Sequence, residues 1–379
     1  MRPETLAPRG RLDHLDNLRV HLTFLVVAHH VALVYSNIPA WPNWEQPADP
    51  GPALPLDLFV LLNQAFFMGL FFLLSGYLTP ASVDRKGSRT FALDRLKRLG
   101  IPFLVFVVLL RPMYTLPTYL RSPAAERPPY WQFYLTESDI GPMWFLEVLL
   151  LLSLAYAWWR ARRPHGPPEP PAGSTTTAPL RAWHVLAFAT GLAVASYLWR
   201  MLVPMGAYIP IVGLPSGAYL PQYVALFVVG ALALRRRWVT SSSARAGWLG
   251  LGFMALSLVP LALGGHRALD PSAVSGVTDV AHLGFAFWDS LFACGAILIL
   301  LAFFGRFASR SNAFTRYASA NAFGVYVLHA PIIVLVAWAL STIQAEPVIK
   351  FLVALPFSAT LSWVLSSLLR RIPAVRGVL

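Results

Sequence analysis

Cysteine is nearly absent: Cys294 is the only one in 379 residues. That excludes a disulfide framework and any metal site built on cysteine. Charge is scarce too. Asp, Glu, Lys and Arg make up 12% of the chain, about half of what a soluble globular protein carries. Lysine is rare even within that minority, with 3 against 27 arginines. This bias, with abundant Ala, Gly and Pro, points to a bacterium with a GC-rich genome. No internal or inverted repeat is visible, which counts against many transporter folds. No small-residue cleavage pattern follows the first apolar run, and that run is too long for a signal-peptide core. It reads as an uncleaved anchor.

What the chain has is apolar length. It is 56% hydrophobic, with a mean hydropathy of +0.58. Runs of about 20 apolar residues recur from end to end, each long enough to span ~30 Å of hydrocarbon. Ten of them fall at about 18–38, 58–79, 99–120, 142–160, 183–203, 218–235, 246–264, 284–304, 322–342 and 348–369. Only helices and closed barrels satisfy the backbone in lipid. The pattern predicts an all-α polytopic integral membrane protein of about ten transmembrane helices. One membrane domain covers 18–370, between a short segment 1–17 and a tail 371–379.

The net charge of +13 suggests nucleic acid until its distribution is read. Of the 30 Lys and Arg, 24 lie on alternating segments: the N-terminus through Arg19, then 81–98, 160–181, 235–245, 306–316 and 370–376. The opposite loops hold only Arg121, Arg127, Arg267 and Lys350. This is the positive-inside pattern. It places both termini in the cytoplasm and suits a bacterial inner membrane. The basic excess is topology facing a lipid bilayer, and no nucleic-acid partner is expected. The Pro-rich stretch PHGPPEPPAGSTTTAP (164–179) reads as a flexible cytoplasmic linker. The 39–57 loop has no Lys or Arg and carries Trp41, Trp44, Glu45, Asp49 and Asp57 on the outer side. Trp in such a place is an interfacial anchor, or alternatively a platform for a sugar ring.

Ionisable residues inside a bilayer are costly and by default mark function. In the first span, LDNLRVHLTFLVVAHHVALVYS, Arg19 and His30 are 11 residues apart. That is about three helical turns, so both fall on one face, roughly 16 Å apart. A cation at the cytoplasmic edge below a base at mid-depth suggests a substrate lying across the membrane. In a weakly polar site a histidine stays neutral and can accept a proton. The neighbouring His29 points about 100° away and reads as a packing contact. His21, near the inner edge, also reads as structural.

Further motifs follow along the chain. In FFLLSGYL (71–78), Gly76 allows close helix approach and Ser75 can hydrogen-bond across helices. No base adjoins Ser75 in sequence, so binding or packing suits it better than nucleophilic attack. In RLKRLGIP (95–102), Arg95 and Arg98 share a face at a helix start. Paired guanidinium groups suit a phosphate; attraction to anionic lipid is the alternative. GPMWFLEVLL (141–150) places Glu147 in the outer half of the fourth span, level with His30, and FAFWDSLF puts Asp289 at similar depth. Each is either a partner for the base or a structural carboxylate paired with Arg111 or Arg200. His329, in FGVYVLHAPI, is expected in the inner half of the ninth span.

Together these motifs resemble the acyltransferase 3 family of multi-spanning membrane acyltransferases. The resemblance rests on Arg19/His30, Ser75-Gly76-Tyr77, Arg95/Arg98/Pro102, Trp144-Phe145-Leu146 and Tyr326/His329/Pro331, in the family's order over about 11–370. HVALVYS at 30–36, and MGLFFLLSGY followed by a basic stretch and RLGIP, are similar to the branch of periplasmic glucan succinyltransferases (glucan biosynthesis protein C). His29 and Glu147 depart from the general pattern. The resemblance implies an acyl-CoA donor substrate engaged from the cytoplasm, with no permanently bound cofactor and no metal. It implies transfer of an acetyl- or succinyl-class acyl group to a hydroxyl of an extracytoplasmic glycan or glycolipid. On that reading His30 is the general base and Glu147 stabilises its imidazolium. Arg19, Arg95, Arg98 and Ser75 bind the donor, while Trp144, Asp289, Tyr326 and His329 support the site or meet the acceptor. An acyl-histidine intermediate is an alternative chemistry. The rival function is a proton-coupled transporter with Arg19, His30, Glu147 and Asp289 as its relay, which would not need a paired-Arg clamp.

Overall fold

Each apolar run becomes a helix. The computed structural model describes residues 13–136, 139–163, 181–207, 217–235, 244–269 and 280–379. Among them are ten helices long and apolar enough to cross a membrane, and no strand. They are α1 (Asp13–Tyr35), α2 (Leu54–Lys86), α3 (Ser88–Arg121), α4 (Trp144–Ala161) and α5 (Ala182–Arg200). Then come α6 (Leu220–Arg235), α7 (Ala244–Ala262), α8 (Val280–Phe307), α9 (Ala313–Ala339) and α10 (Pro347–Leu369). The Pro-rich stretch 164–179 lies outside the described residues.

α1 is the hub of the bundle, packed against α2, α8, α9 and α10. Leu18, Leu22, Val27 and Val31 on it are fully buried. α10 is peripheral. Its Leu352, Phe357 and Leu361 are exposed, as suits side chains that meet lipid tails as apolar as themselves. α1 and α9 run parallel, because Arg19 meets Ser319 at one end and His30 meets His329 at the other. Asn17 ties the start of α1 to the end of α8, donating to the carbonyls of Ala308 at 2.8 Å and Arg310 at 3.0 Å.

α2 and α6 meet closely, backbone against backbone. A Cβ on Gly76 would sit 2.0 Å from the carbonyl oxygen of Phe227, and one on Gly230 would sit 2.1 Å from that of Leu73. The backbones touch, so only glycine fits at either position. Gly76 of the Ser-Gly-Tyr motif is therefore a packing residue.

Helix ends differ from the apolar runs in ways that move the site. α1 begins at Asp13 and ends at Tyr35, where the apolar run spans 18–38. Hydropathy marks the part that lipid wets, not the hydrogen-bonded helix. His30 lies in the last third of α1. α2 continues to Lys86, so the basic stretch after it is helix, not loop. Gly87, at φ 78°, breaks the chain before α3 begins; that left-handed backbone favours glycine. Within α3, two π turns, Leu96–Gly100 and Phe106–Leu110, interrupt the α pattern. The first falls on the paired arginines. The wider π turn enlarges the angle between residues three apart, and such turns occur frequently at functional sites.

Candidate functional site

The site is built around α1. His30 Nδ1 lies 2.9 Å from Nε2 of His329 on α9, and the rings stack with centroids 5.0 Å apart. Nδ1 of His329 lies 2.6 Å from the carbonyl oxygen of Tyr326, one turn back on the same helix. Tyr326 is anchored in turn, its hydroxyl donating to the carbonyl of Pro142 just before α4. His329 and Tyr326 are both buried. His30 keeps some accessible surface. His329 was expected in the inner half of its span. Its contact with His30 places it level with the last third of α1 instead.

Trp41 covers the imidazole pair. Its indole stacks on His30, centroids 4.6 Å apart at 29°, and meets Tyr114 of α3 edge-on. It is buried at 6% exposure, so it is neither an interfacial anchor nor an open sugar platform in this state. The loop that carries it is strapped down. Trp44 Nε1 donates to the Ser36 carbonyl at 2.7 Å, Asn37 donates twice to Asp57, and Arg121 donates to the Trp44 carbonyl. Glu45 pairs with Lys350 of α10. Lys350, expected as a loop cation, is buried.

His29 faces elsewhere, as the helical angle requires. Its ring stacks on Phe67 of α2 at 4.9 Å, and its Nδ1 is sealed without a partner among the described residues. His21 packs against Phe304. Trp144 stacks on Tyr223 of α6 at 5.2 Å, and Phe145 packs against Phe71, Phe72 and Tyr326. The Trp-Phe-Leu element thus forms the aromatic wall behind Tyr326 and His329.

Two expected partners are not joined to His30. Asp289 forms a buried ion pair with Arg200, Oδ2 to Nη2 at 2.7 Å, with both side chains at 5% exposure or less. The structural reading of this carboxylate holds, because a buried charge needs an opposite one beside it. Glu147 sits half-buried in the first turn of α4. No hydrogen bond or ion pair joins it to His30 among the described residues, and the group that meets His30 Nδ1 is His329. Arg111 donates to the carbonyls of Asp139 and Tyr134. Among the described residues, no hydrogen bond or ion pair links Asp289 to Arg19 or His30.

At the other end of α1, Arg19 Nη2 donates to Asp16 at 2.8 Å and to Ser319 at 3.2 Å. A cavity of ≈ 220 Å³ opens here between α1 and α2, lined by Leu15, Asp16, Arg19, Leu74 and Leu78. Ser75 is half-buried beside that lining. Arg95 is half-buried, its guanidinium 5.0 Å from the Phe91 ring centroid, whereas Arg98 is exposed. Lys86 pairs with Asp94, and Arg160 with Asp84. No cluster of three or more potential metal ligands occurs among the described residues.

Sequence reasoning missed Asp16, Ser319 and the Trp41 cap. Only Asp16 left a signal, three residues before Arg19 on the same helical face.

Residues 12–367 match a family model described as an acyltransferase domain. Among known proteins, the chain is similar to "Glucans biosynthesis protein C" of Salmonella schwarzengrund, Salmonella typhi and Salmonella typhimurium. Each is 26% identical over 385 aligned residues, covering 97% of this chain and 94% of the relative. No solved structure matches the chain.

Proposed function

The chain belongs to this acyltransferase-domain family of multi-pass membrane proteins, and we propose that it moves an acyl group from cytoplasmic acyl-CoA to a hydroxyl of an extracytoplasmic glycan or glycolipid. The enzyme class follows from the family: a transferase of groups other than aminoacyl groups. The observation that carries the mechanism is His30. Of the three imidazoles at this level of the bundle, it alone keeps accessible surface, and it shares a helix face with Arg19.

In this mechanism, a hydroxyl of the acceptor attacks the thioester carbonyl while His30 removes its proton. The tetrahedral intermediate collapses, the new C–O bond remains and the C–S bond breaks. Coenzyme A leaves as a thiolate and takes the proton from His30. The ~16 Å between Arg19 and His30 matches the reach of an extended phosphopantetheine arm. The adenine-nucleotide phosphates would then lie at the basic end, near Arg19, Arg95 and Arg98, with Ser75 beside the arm. A glucan is the acceptor class that the relatives' name favours.

Arg98 is the more available of the paired arginines. Arg98→Ala is expected to raise the donor KM about 10-fold or more, since a charge-assisted hydrogen bond contributes about 1.5–3 kcal/mol. Lysine at the same position should rescue only partly, because it lacks the bidentate fork. The check is donor KM for variants matched in membrane level. Unchanged acyl-CoA binding on loss of both arginines would remove the clamp from the account.

The charge asymmetry further assigns both termini to the cytoplasm of a bacterial inner membrane. Single-cysteine variants at Ala48 and Ser309, in a Cys294→Ser background, test it. Both native side chains are exposed. An impermeant thiol reagent added to intact cells should label position 48 and leave position 309 unlabelled. The reverse pattern would invert the orientation and the assignment of donor and acceptor sides.

A further inference from the structure

We propose that His329 is a positioning residue for acyl transfer, holding His30 in the tautomer whose Nε2 lone pair faces the acceptor hydroxyl. This rests on the reading of His30 as proton acceptor. The argument starts at a backbone carbonyl. The oxygen of Tyr326 can only accept, so the proton of His329 is on Nδ1, 2.6 Å away. In a neutral imidazole the other nitrogen is then an acceptor. That nitrogen, Nε2 of His329, lies 2.9 Å from His30 Nδ1. His30 Nδ1 therefore donates, and the lone pair of His30 resides on Nε2. Each proton in the series is assigned by the hydrogen-bond network.

His30 also hydrogen-bonds to the backbone of Val26, one turn back on α1. The sealed, unpartnered side-chain atoms include Nδ1 of His29 but no atom of His30. His30 as a whole keeps accessible surface, unlike His29 and His329. The consequence is chemical: a free neutral histidine side chain favours the opposite tautomer, with its proton on Nε2, which cannot act as a base there. A partner on Nδ1 reverses that preference, as orienting groups do for catalytic and metal-binding histidines. The same bond strengthens when His30 gains the acceptor's proton, because its donor is then cationic. The help is therefore largest in the transition state, where it raises kcat rather than tightening substrate binding.

The supports of His329 fit this role. Its carbonyl partner belongs to Tyr326, whose hydroxyl is fixed to Pro142. The His30 ring is held against Trp41 as well as His329. Pro331 lies two residues on, inside α9, and removes a backbone N–H from the turn just after His329.

The test compares His329→Gln with His329→Leu in the full-length protein, beside His30→Ala. Glutamine can accept from His30 Nδ1 through its amide oxygen and donate to the Tyr326 carbonyl. Leucine fills similar space and does neither. We expect His329→Leu to lower kcat about 10²-fold with donor KM unchanged, and His329→Gln to recover most of that loss. Nitrogen-15 spectra of histidine-labelled protein read the tautomer without any turnover, with the His30 signals identified by their loss in His30→Ala. Wild type should show His30 protonated on Nδ1 and bare on Nε2, and His329→Leu should populate the Nε2–H form. Two results overturn the proposal: a wild-type His30 carrying its proton on Nε2, or equal kcat in the glutamine and leucine variants. Near-normal turnover by His30→Ala would instead strike the base assignment, while the spectrum would still report whether His329 sets the tautomer.

Discussion

His30→Ala is expected to lower acyl transfer about 10²- to 10⁴-fold, the usual loss when a general base is removed, while acyl-CoA still binds. His29→Ala should keep substantial turnover. The two residues are adjacent and have the same chemistry, so the contrast isolates geometry. His30 reaches His329 and retains accessible surface. His29 is sealed against Phe67 on α2, 5% exposed. Losing the His29 ring leaves a cavity, which acts on stability through lost packing. It leaves the acceptor nitrogen in place. The comparison is made at equal membrane levels, by initial rates of transfer. An inactive His29→Ala protein beside an active His30→Ala protein would reverse the assignment.

Asp289→Ala should give the largest loss of stability, about 3–5 kcal/mol, as expected when one partner of a buried ion pair is removed. The cationic partner cannot escape. Arg200 is 4% exposed, packs over the rings of Tyr219 and Phe285, and leaves Nε and Nη1 without partners among the described residues. Replacing both residues with apolar ones, Arg200→Met with Asp289→Leu, should recover most of the loss, because no bare charge then remains. Thermal unfolding in detergent separates the three proteins. Folded Asp289→Ala protein should still transfer acyl groups at a permissive temperature. A variant of normal stability without turnover would return Asp289 to the site.

The ten spans were legible because length and apolarity are local properties of the sequence. The Arg19–His30 face was equally legible, since it follows from spacing within one helix. The place of His30 along its helix was less so, because polar residues from Asp13 onward extend α1 beyond its apolar run. The π turn over Arg98 was hidden for a related reason: it depends on how α3 packs, not on the residue types alone. Pairings across the chain were the hardest to read. His30 meets His329, 299 residues away, and Arg200 meets Asp289, 89 residues away. A single sequence gives the face on which each lies but not which faces meet. Residue counting therefore put Glu147 level with His30 but gave no sign that His329 meets it. Trp41 was misread in the same way: its loop looked like interface, and only the ties to Ser36 and α3 show that it folds inward.

The central claim is that His30 takes the acceptor's proton during transfer from acyl-CoA. Purified protein reconstituted in lipid, supplied with acetyl- or succinyl-CoA on the Arg19 side and a glucan on the Trp41 side, tests it most directly. Free coenzyme A thiol and ester on the glucan are followed together, and donor binding is measured separately. The account predicts one ester per thiol released by wild type. It predicts His30→Ala protein that binds the donor with unchanged affinity and forms neither product at a comparable rate. Ester formation by His30→Ala at near wild-type rate, or by wild type without consumption of acyl-CoA, would contradict it.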